Sequence, residues 1–85
     1  MKLQDDIREY MVILALRSKS PKTIKTYKRI LGDYLGYCQT NHIEQQTKET
    51  ILEYKNYLED PDRQLSPNTL KLTYSCLRQF YKSMA

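Results

Sequence analysis

Two segments of this 85-residue sequence begin with the same Ser-Pro pair and then repeat one pattern at an offset of 46 positions. Ser20 precedes Pro21, and Ser66 precedes Pro67. A serine hydroxyl caps N–H groups at a helix start, and proline is favoured at the first helical position because its nitrogen has no hydrogen to leave unpaired. Further identities at this offset are Thr23 with Thr69, Lys25 with Lys71 and Leu31 with Leu77. The repeat therefore predicts the starts of two similar helices.

Apolar residues recur every three or four positions in four segments, which is the period of one face of an α-helix. The four predicted helices span residues 3–17, 21–40, 48–59 and 67–84. Thr47 is placed to cap the third helix, which has Ile51 and Leu52 in its apolar pattern and has to end before Pro61. Because a chain of this length forms one small domain, the sequence predicts an all-α, compact four-helix bundle.

The composition excludes several classes of protein and site. The longest apolar run, residues 11–16, is far shorter than the roughly 18 residues of a membrane span, and the acidic start is unlike a secretory signal. We therefore expect a cytoplasmic protein without a membrane partner. Cys38 and Cys76 stand alone in helical patterns, and His42 is the one histidine, so they do not form an ordinary zinc ligand set. We expect no metal, no cofactor, and two buried or half-buried thiols without a disulfide.

The net charge of +4 conceals an uneven distribution. Residues 17–43 contain six basic residues and one acidic residue, and residues 63–85 contain four basic residues and no acidic residue. The segment between them, residues 44–62, is acidic, with two basic and six acidic residues. At about 100° per residue, the second and fourth helices each place polar residues opposite the apolar stripe. These residues are Lys22, Lys25 and Arg29 on the second helix, and Asn68, Lys71, Ser75, Arg78 and Lys82 on the fourth. Because cations near a helix start are unfavourable alone, the pattern indicates a polyanionic partner.

Duplex DNA fits this pattern best among the polyanions. Its major groove admits an α-helix, and short polar side chains such as Thr26, Asn68 and Ser75 are residue types that contact base edges. The hydroxyls that cap the two helices are also able to donate to phosphates. A membrane-surface helix would border its basic face with large aromatic residues, which here lie on the apolar stripes.

The residues 20–27, Ser-Pro-Lys-Thr-Ile-Lys-Thr-Tyr, are followed by Leu31, Leu35, a short acidic third helix and Leu-Ser-Pro-Asn-Thr-Leu at 65–70. This order resembles the N-terminal core-binding domain of tyrosine recombinases and phage integrases over nearly the whole chain. The resemblance implies a SAM-like orthogonal bundle that forms one jaw of a C-shaped clamp, with the second and fourth helices facing the major groove. It places strand cleavage in a separate C-terminal domain. We therefore expect the binding domain of a longer recombinase, which is not an enzyme by itself.

Carried over residue by residue, the resemblance implies DNA contacts at twelve positions. They are Lys19, Ser20, Lys22, Thr23, Lys25, Thr26 and Arg29 on or just before the second helix, and Asn68, Thr69, Lys71, Ser75 and Arg78 on the fourth. The implied partners are the core site of recombination in double-stranded DNA and neighbouring recombinase protomers in a synaptic complex. We expect the isolated domain to be monomeric, and either nucleoid-associated in a prokaryote or phage-encoded.

A second hypothesis is a small protein-interaction module without direct DNA contact. The acidic third helix and several apolar residues outside the main stripes would then dock a partner. These residues are Ile13, Leu16, Leu72 and Met84.

Two further alternatives are weaker. Single-stranded RNA requires exposed aromatic residues for stacking, and the candidates are Tyr10, Tyr37, Tyr54 and Tyr57. A helix-turn-helix regulator requires two short helices joined by a turn of three or four residues, which the pattern does not contain.

Overall fold

Four helices form where the apolar pattern predicts them. The computed structural model describes residues 2–17, 19–43 and 47–84, without the side chain at position 84. The helices are α1 (Lys2–Leu16), α2 (Pro21–Thr40), α3 (Lys48–Leu58) and α4 (Pro67–Met84), with a 3-10 turn at Pro61–Arg63. The bounds of α2 and α4 are those predicted, and α1 and α3 differ from the prediction by one residue at their ends, which is the usual uncertainty of a fraying turn. The all-α prediction is confirmed.

Side-chain caps explain where α2 and α3 begin. The N–H of Thr23 donates to the Ser20 hydroxyl at 3.2 Å, and the N–H of Thr50 donates to the Thr47 hydroxyl at 3.2 Å. Each contact satisfies one of the N–H groups that a first helical turn leaves without a carbonyl. Both predicted caps are confirmed.

The end of α2 is formed by a Schellman motif around His42, which has a φ of 56°. The N–H of Ile43 donates to the carbonyl of Cys38 at 2.8 Å, and the N–H of His42 donates to the carbonyl of Gln39 at 3.3 Å. This pair of contacts closes the last turn and reverses the chain, and it places Ile43 against the core. The sequence pattern does not predict this role for His42.

α2 lies at the centre of the bundle and packs against both α1 and α4, which also contact each other. Aromatic rings make many of the contacts between helices. Tyr10 of α1 meets Phe80 of α4 edge to face at 5.4 Å between centroids, and Tyr34 of α2 meets Tyr54 of α3 at 4.8 Å. The radius of gyration, 12.8 Å, is close to the about 12 Å expected for a compact chain of this length. None of the described helices is long and apolar enough to cross a membrane.

The buried positions correct two expectations about aromatic and apolar residues. Tyr10 and Tyr54 are 2% and 3% exposed, so they are core residues and not candidates for stacking on RNA. Leu52 was expected within the apolar pattern of α3, but it is 57% exposed, and Thr50 is buried in its place. α3 packs through positions spaced by four, which are Thr50, Tyr54 and Leu58.

Both cysteines are fully buried. Cys38 of α2 and Cys76 of α4 each have a relative exposure of 0%, and neither forms a disulfide. Burial raises the pKa of the Cys76 thiol to about 12, since the thiolate would lose its hydration in the core. The prediction of buried, unbridged thiols is confirmed.

Candidate nucleic-acid interface

The two Ser-Pro starts have the same hydrogen-bond geometry. The Ser20 hydroxyl donates to the Thr23 hydroxyl at 2.9 Å while it accepts the N–H of Thr23. The Ser66 hydroxyl donates to the Thr69 hydroxyl at 2.9 Å and accepts the N–H of Thr69 at 3.1 Å. The sequence repeat is therefore a repeat of structure. In both caps the threonine oxygen accepts a hydrogen bond from the serine, so the threonine hydroxyl is itself able to donate to another acceptor.

All twelve predicted contact residues lie outside the core. The exposed ones are Lys19, Ser20, Lys22, Lys25, Arg29, Asn68, Lys71 and Arg78, and the half-buried ones are Thr23, Thr26, Thr69 and Ser75. We call the members on α2 and its cap the α2 face, and those on α4 the α4 face. The half-buried members are short hydroxyl side chains, which lie close to the helix surface. The longer cationic side chains of each face are exposed.

One of these hydroxyls is already used within its helix. Thr26 donates to the carbonyl of Lys22 at 2.9 Å, one helical turn earlier. Its hydrogen is therefore engaged, and its oxygen remains able to accept a hydrogen bond.

The α2 face contains a carboxylate next to one of its cations. Arg29 Nη1 lies 3.8 Å from Asp33 Oδ2, and both side chains are more than half exposed, 59% and 67%. Exposed pairs of this spacing stabilise a helix by only about 0.3–0.5 kcal/mol. Asp33 is the single acidic residue between positions 17 and 43. The α4 face has no such neighbour in the sequence, since no acidic residue occurs from 63 to 85.

One residue of each face lines a shared hollow of about 70 Å³, which we call the α2–α4 hollow. Arg29 and Asp33 line it from α2, and Thr69 lines it from the first turn of α4. Arg63, from the 3-10 turn, lines it as well, although the sequence analysis did not select this residue. The Asp60-Pro61 pair before it repeats the combination of cap and proline, and that signal would have predicted a helical turn ending at Arg63.

Of the twelve predicted contact residues, Arg29 and Thr69 line this hollow and the other ten do not. Arg78 lines a separate, largely apolar groove of about 470 Å³ between α3 and α4. Tyr74, Leu77 and Tyr81 form much of its wall, and Lys55 faces it from α3. Arg78 therefore lies toward α3, on a different side of α4 from the hollow.

The floor of the hollow includes Tyr54, whose phenol is held in its neutral form. Its pKa is raised to about 12, chiefly by burial and also by the nearby charge of Asp33, while the charge of Arg63 acts in the opposite direction. Three or more metal-ligating side chains do not cluster anywhere in residues 2–17, 19–43 and 47–84. The α2 and α4 faces carry ammonium, guanidinium, hydroxyl and amide groups, and the hollow adds the carboxylate of Asp33.

A family model described as "Phage integrase, N-terminal SAM-like domain" matches residues 3–85. The chain belongs to this family. The phage integrase N-terminal domain is the non-catalytic part of these proteins, and its role belongs to DNA integration and recombination. No curated protein and no solved structure matches the chain. The recombinase resemblance inferred from the Ser-Pro repeat and the helix order is thus confirmed at the level of the family.

Proposed function

We propose that this domain binds double-stranded DNA as one jaw of a tyrosine recombinase clamp, with the α2 and α4 faces toward the major groove. The observation that carries this proposal is the structural repeat. Two helices with identical caps both direct cations and short polar groups away from the core. Packing alone requires the apolar stripe to be repeated but gives no reason to repeat the polar side, whereas a shared polyanionic ligand does.

Within this proposal the contacts divide by chemistry. Lys19, Lys22, Lys25 and Lys71 are suited to backbone phosphates, because a lysine ammonium is a flexible point charge. Asn68 and Ser75 are suited to base edges. A domain that neutralises about 4–6 phosphates should show a plot of log affinity against log salt with a slope of about −3.6 to −5.4.

Membership of the phage integrase family supports the proposed setting. The domain acts in the cytoplasm on the core site of recombination, beside other recombinase protomers, and leaves strand cleavage to a separate catalytic domain. Its contribution is to position and hold the duplex.

The experiment is a titration of the 85-residue chain with a mixed-sequence duplex of about 20 base pairs, two helical turns, monitored by fluorescence anisotropy. The Lys25→Glu plus Lys71→Glu variant changes one equivalent position on each face. We expect it to abolish measurable binding. The matched control, Lys2→Glu plus Lys48→Glu, makes the same change in net charge at exposed lysines of α1 and α3 and should retain most of the affinity.

Equal affinities for the two double variants would show that binding follows net charge and not the α2 and α4 faces. Unchanged binding by the Lys25→Glu plus Lys71→Glu variant would contradict the proposal directly. Circular dichroism of each variant separates loss of binding from loss of fold.

Docking of a partner protein is a second candidate function. It is favoured by apolar side chains of α1 that are exposed to solvent. Leu16 is 79% exposed and Val12 is 58% exposed, and the two lie one turn apart on α1. Of the residues expected to be uncovered, Leu72 is 41% exposed and Ile13 is half-buried, while the side chain of Met84 lies outside the described part. NMR shifts on DNA addition that are confined to α1 and α3 would favour docking over DNA binding.

A further inference from the structure

We propose that the α2–α4 hollow is a binding site for one phosphodiester of the DNA backbone, and that Arg63 and Arg29 are its cations. The inference rests on the proposed DNA-binding function and adds a site, a residue and a positioning contact that the helical faces alone do not contain. The first support is that two cations from separate parts of the chain lie at the same place. Arg29 from the middle of α2 and Arg63 from the turn before α4 line the same small hollow, together with Thr69.

These groups have the chemistry that a phosphodiester requires. A guanidinium presents its N–H groups as a planar fork that matches two phosphate oxygens. Thr69 adds a hydroxyl whose oxygen accepts from Ser66 and whose hydrogen is able to donate to a phosphate oxygen. The buried apolar side chains of Ile30 and Leu58 also line the hollow, beneath cations that remain exposed to an incoming anion.

Arg63 is held in place before any ligand arrives. Its Nη1 donates to the Tyr57 hydroxyl at 2.7 Å, and its guanidinium carbon lies 4.2 Å from the centroid of the Tyr57 ring. The backbone is fixed as well, because the N–H of Arg63 donates to the carbonyl of Asp60 at 3.0 Å. An arginine that is already ordered loses less side-chain entropy on binding than a mobile one. Tyr57 is therefore a positioning residue for Arg63.

Asp33 opposes an anion at this site. Its carboxylate lines the hollow and neutralises part of the charge of Arg29 at 3.8 Å. The pair is loose and exposed, so a phosphate is able to replace the carboxylate as the partner of Arg29. Removing the negative charge of Asp33 should therefore strengthen DNA binding.

The experiment measures duplex affinity at several salt concentrations for Arg63→Gln, with Lys48→Gln as the control that loses the same charge on α3. We expect Arg63→Gln to weaken binding about tenfold and to reduce the magnitude of the salt slope by about 0.9, the value for one phosphate contact. Lys48→Gln should change the affinity and the salt slope much less. Asp33→Asn should bind more tightly than the wild-type chain.

The role of Tyr57 is tested without altering any charge. Tyr57→Phe removes the hydroxyl that accepts from Arg63, and Tyr57→Leu removes the ring as well. We expect a graded loss of affinity, Tyr57→Leu more than Tyr57→Phe, with the salt slope of the wild-type chain retained. Arg63→Lys keeps the positive charge but lacks the planar guanidinium. We expect this variant to bind more weakly than the wild type with an unchanged salt slope. This variant decides the case if Arg63→Gln does not fold.

Equal affinity and equal slope for Arg63→Gln and Lys48→Gln would overturn the phosphate site. If the Lys25→Glu plus Lys71→Glu variant still loses binding in that case, the proposed function stands and only the hollow is wrong. If neither variant loses binding, both inferences are wrong. Titration with sodium phosphate distinguishes a general anion site from one that requires DNA: perturbation of the Arg63 resonance by phosphate alone, as strong as that by duplex, would contradict a site built for the DNA backbone.

Discussion

The hydroxyl oxygens of Tyr34 and Tyr81 lie 2.8 Å apart and share a hydrogen bond between α2 and α4. Their rings meet edge to face, with centroids 6.4 Å apart and an interplanar angle of 79°. The two helices proposed to contact DNA are thus joined by a polar contact within the apolar core. Because such a contact requires a defined geometry, it helps to set the position of one helix against the other.

Replacing both tyrosines of this pair by phenylalanine should reveal a coupling free energy. A hydrogen bond of this kind contributes about 0.5–1.5 kcal/mol to stability. We expect Tyr34→Phe and Tyr81→Phe to destabilise the fold individually, and the double variant to lose less than the two single losses together. Urea unfolding of the wild type and the three variants gives the double-mutant cycle. Strict additivity would show that the 2.8 Å contact contributes nothing to the free energy of unfolding.

The Ser-Pro caps should contribute nearly equal amounts to stability, because their geometries agree. Ser20→Ala and Ser66→Ala are each expected to lower the free energy of unfolding by about 1 kcal/mol, since the N–H of Thr23 or Thr69 loses its acceptor. Urea unfolding measures both losses. Ser20→Gly is the control, as glycine at a cap costs only a few tenths of a kcal/mol. A loss confined to one of the two caps would contradict their equivalence.

His42→Gly should stabilise the protein. His42 occupies the left-handed region, with a φ of 56°, where a β-carbon is unfavourable and glycine is not. The expected gain is about 0.5–1 kcal/mol, after allowance for the greater freedom of glycine in the unfolded chain. Thermal unfolding measures the gain. His42→Ala, which retains the β-carbon, should show none; a gain of the same size in that variant would locate the effect in the imidazole instead.

Stability should fall in alkaline solution. Burial raises the pKa of Cys76 from 9.0 and of Tyr54 and Tyr81 from 10.0, in each case to about 12, and raises that of Tyr34 further. Because the folded state holds these protons more tightly than the unfolded state, their stabilisation is complete below about pH 9. It is lost as the pH rises from there toward 12, by up to about 1.4 kcal/mol per pH unit for each group.

Urea midpoints between pH 7 and pH 11 test this expectation. Cys38 and Cys76 share the lowest unfolded pKa among these groups, 9.0, so Cys76→Ala, which removes one of the two thiols, should lose less stability between pH 9 and pH 10 than the wild type. A midpoint that stays constant up to pH 11 would contradict the burial of these groups in solution.

The sequence was sufficient for those parts of the fold that local chemistry decides. Ser20 and Thr47 cap helices because their hydroxyls reach N–H groups only three residues away. The periodicity of α4 likewise places Phe80 and Leu77 inside. Caps and helical periodicity depend on residues that are close in sequence, so a sequence pattern is enough to predict them.

The sequence was not sufficient to predict features that depend on contacts between residues far apart in the chain. α3 has apolar residues on more than one side, and only its packing against Tyr34 and Tyr37 selects Tyr54 for the core and leaves Leu52 outside. Arg63 was missed for the same reason, since nothing near it in sequence shows that it shares a hollow with Arg29. Asp33 was counted in the charge of its segment, but its position beside Arg29 emerges only from side-chain geometry.

The two buried thiols provide the domain with internal reporters of its own opening. Cys38 lies on α2 and Cys76 on α4, both with no exposed surface, so a thiol reagent reaches either one only when its helix separates from the core. The rate of labelling at each cysteine therefore measures how often that helix opens. Equal rates would mean that the bundle opens as one cooperative unit, and a faster rate at one cysteine would identify the helix that separates first, without any change to the sequence.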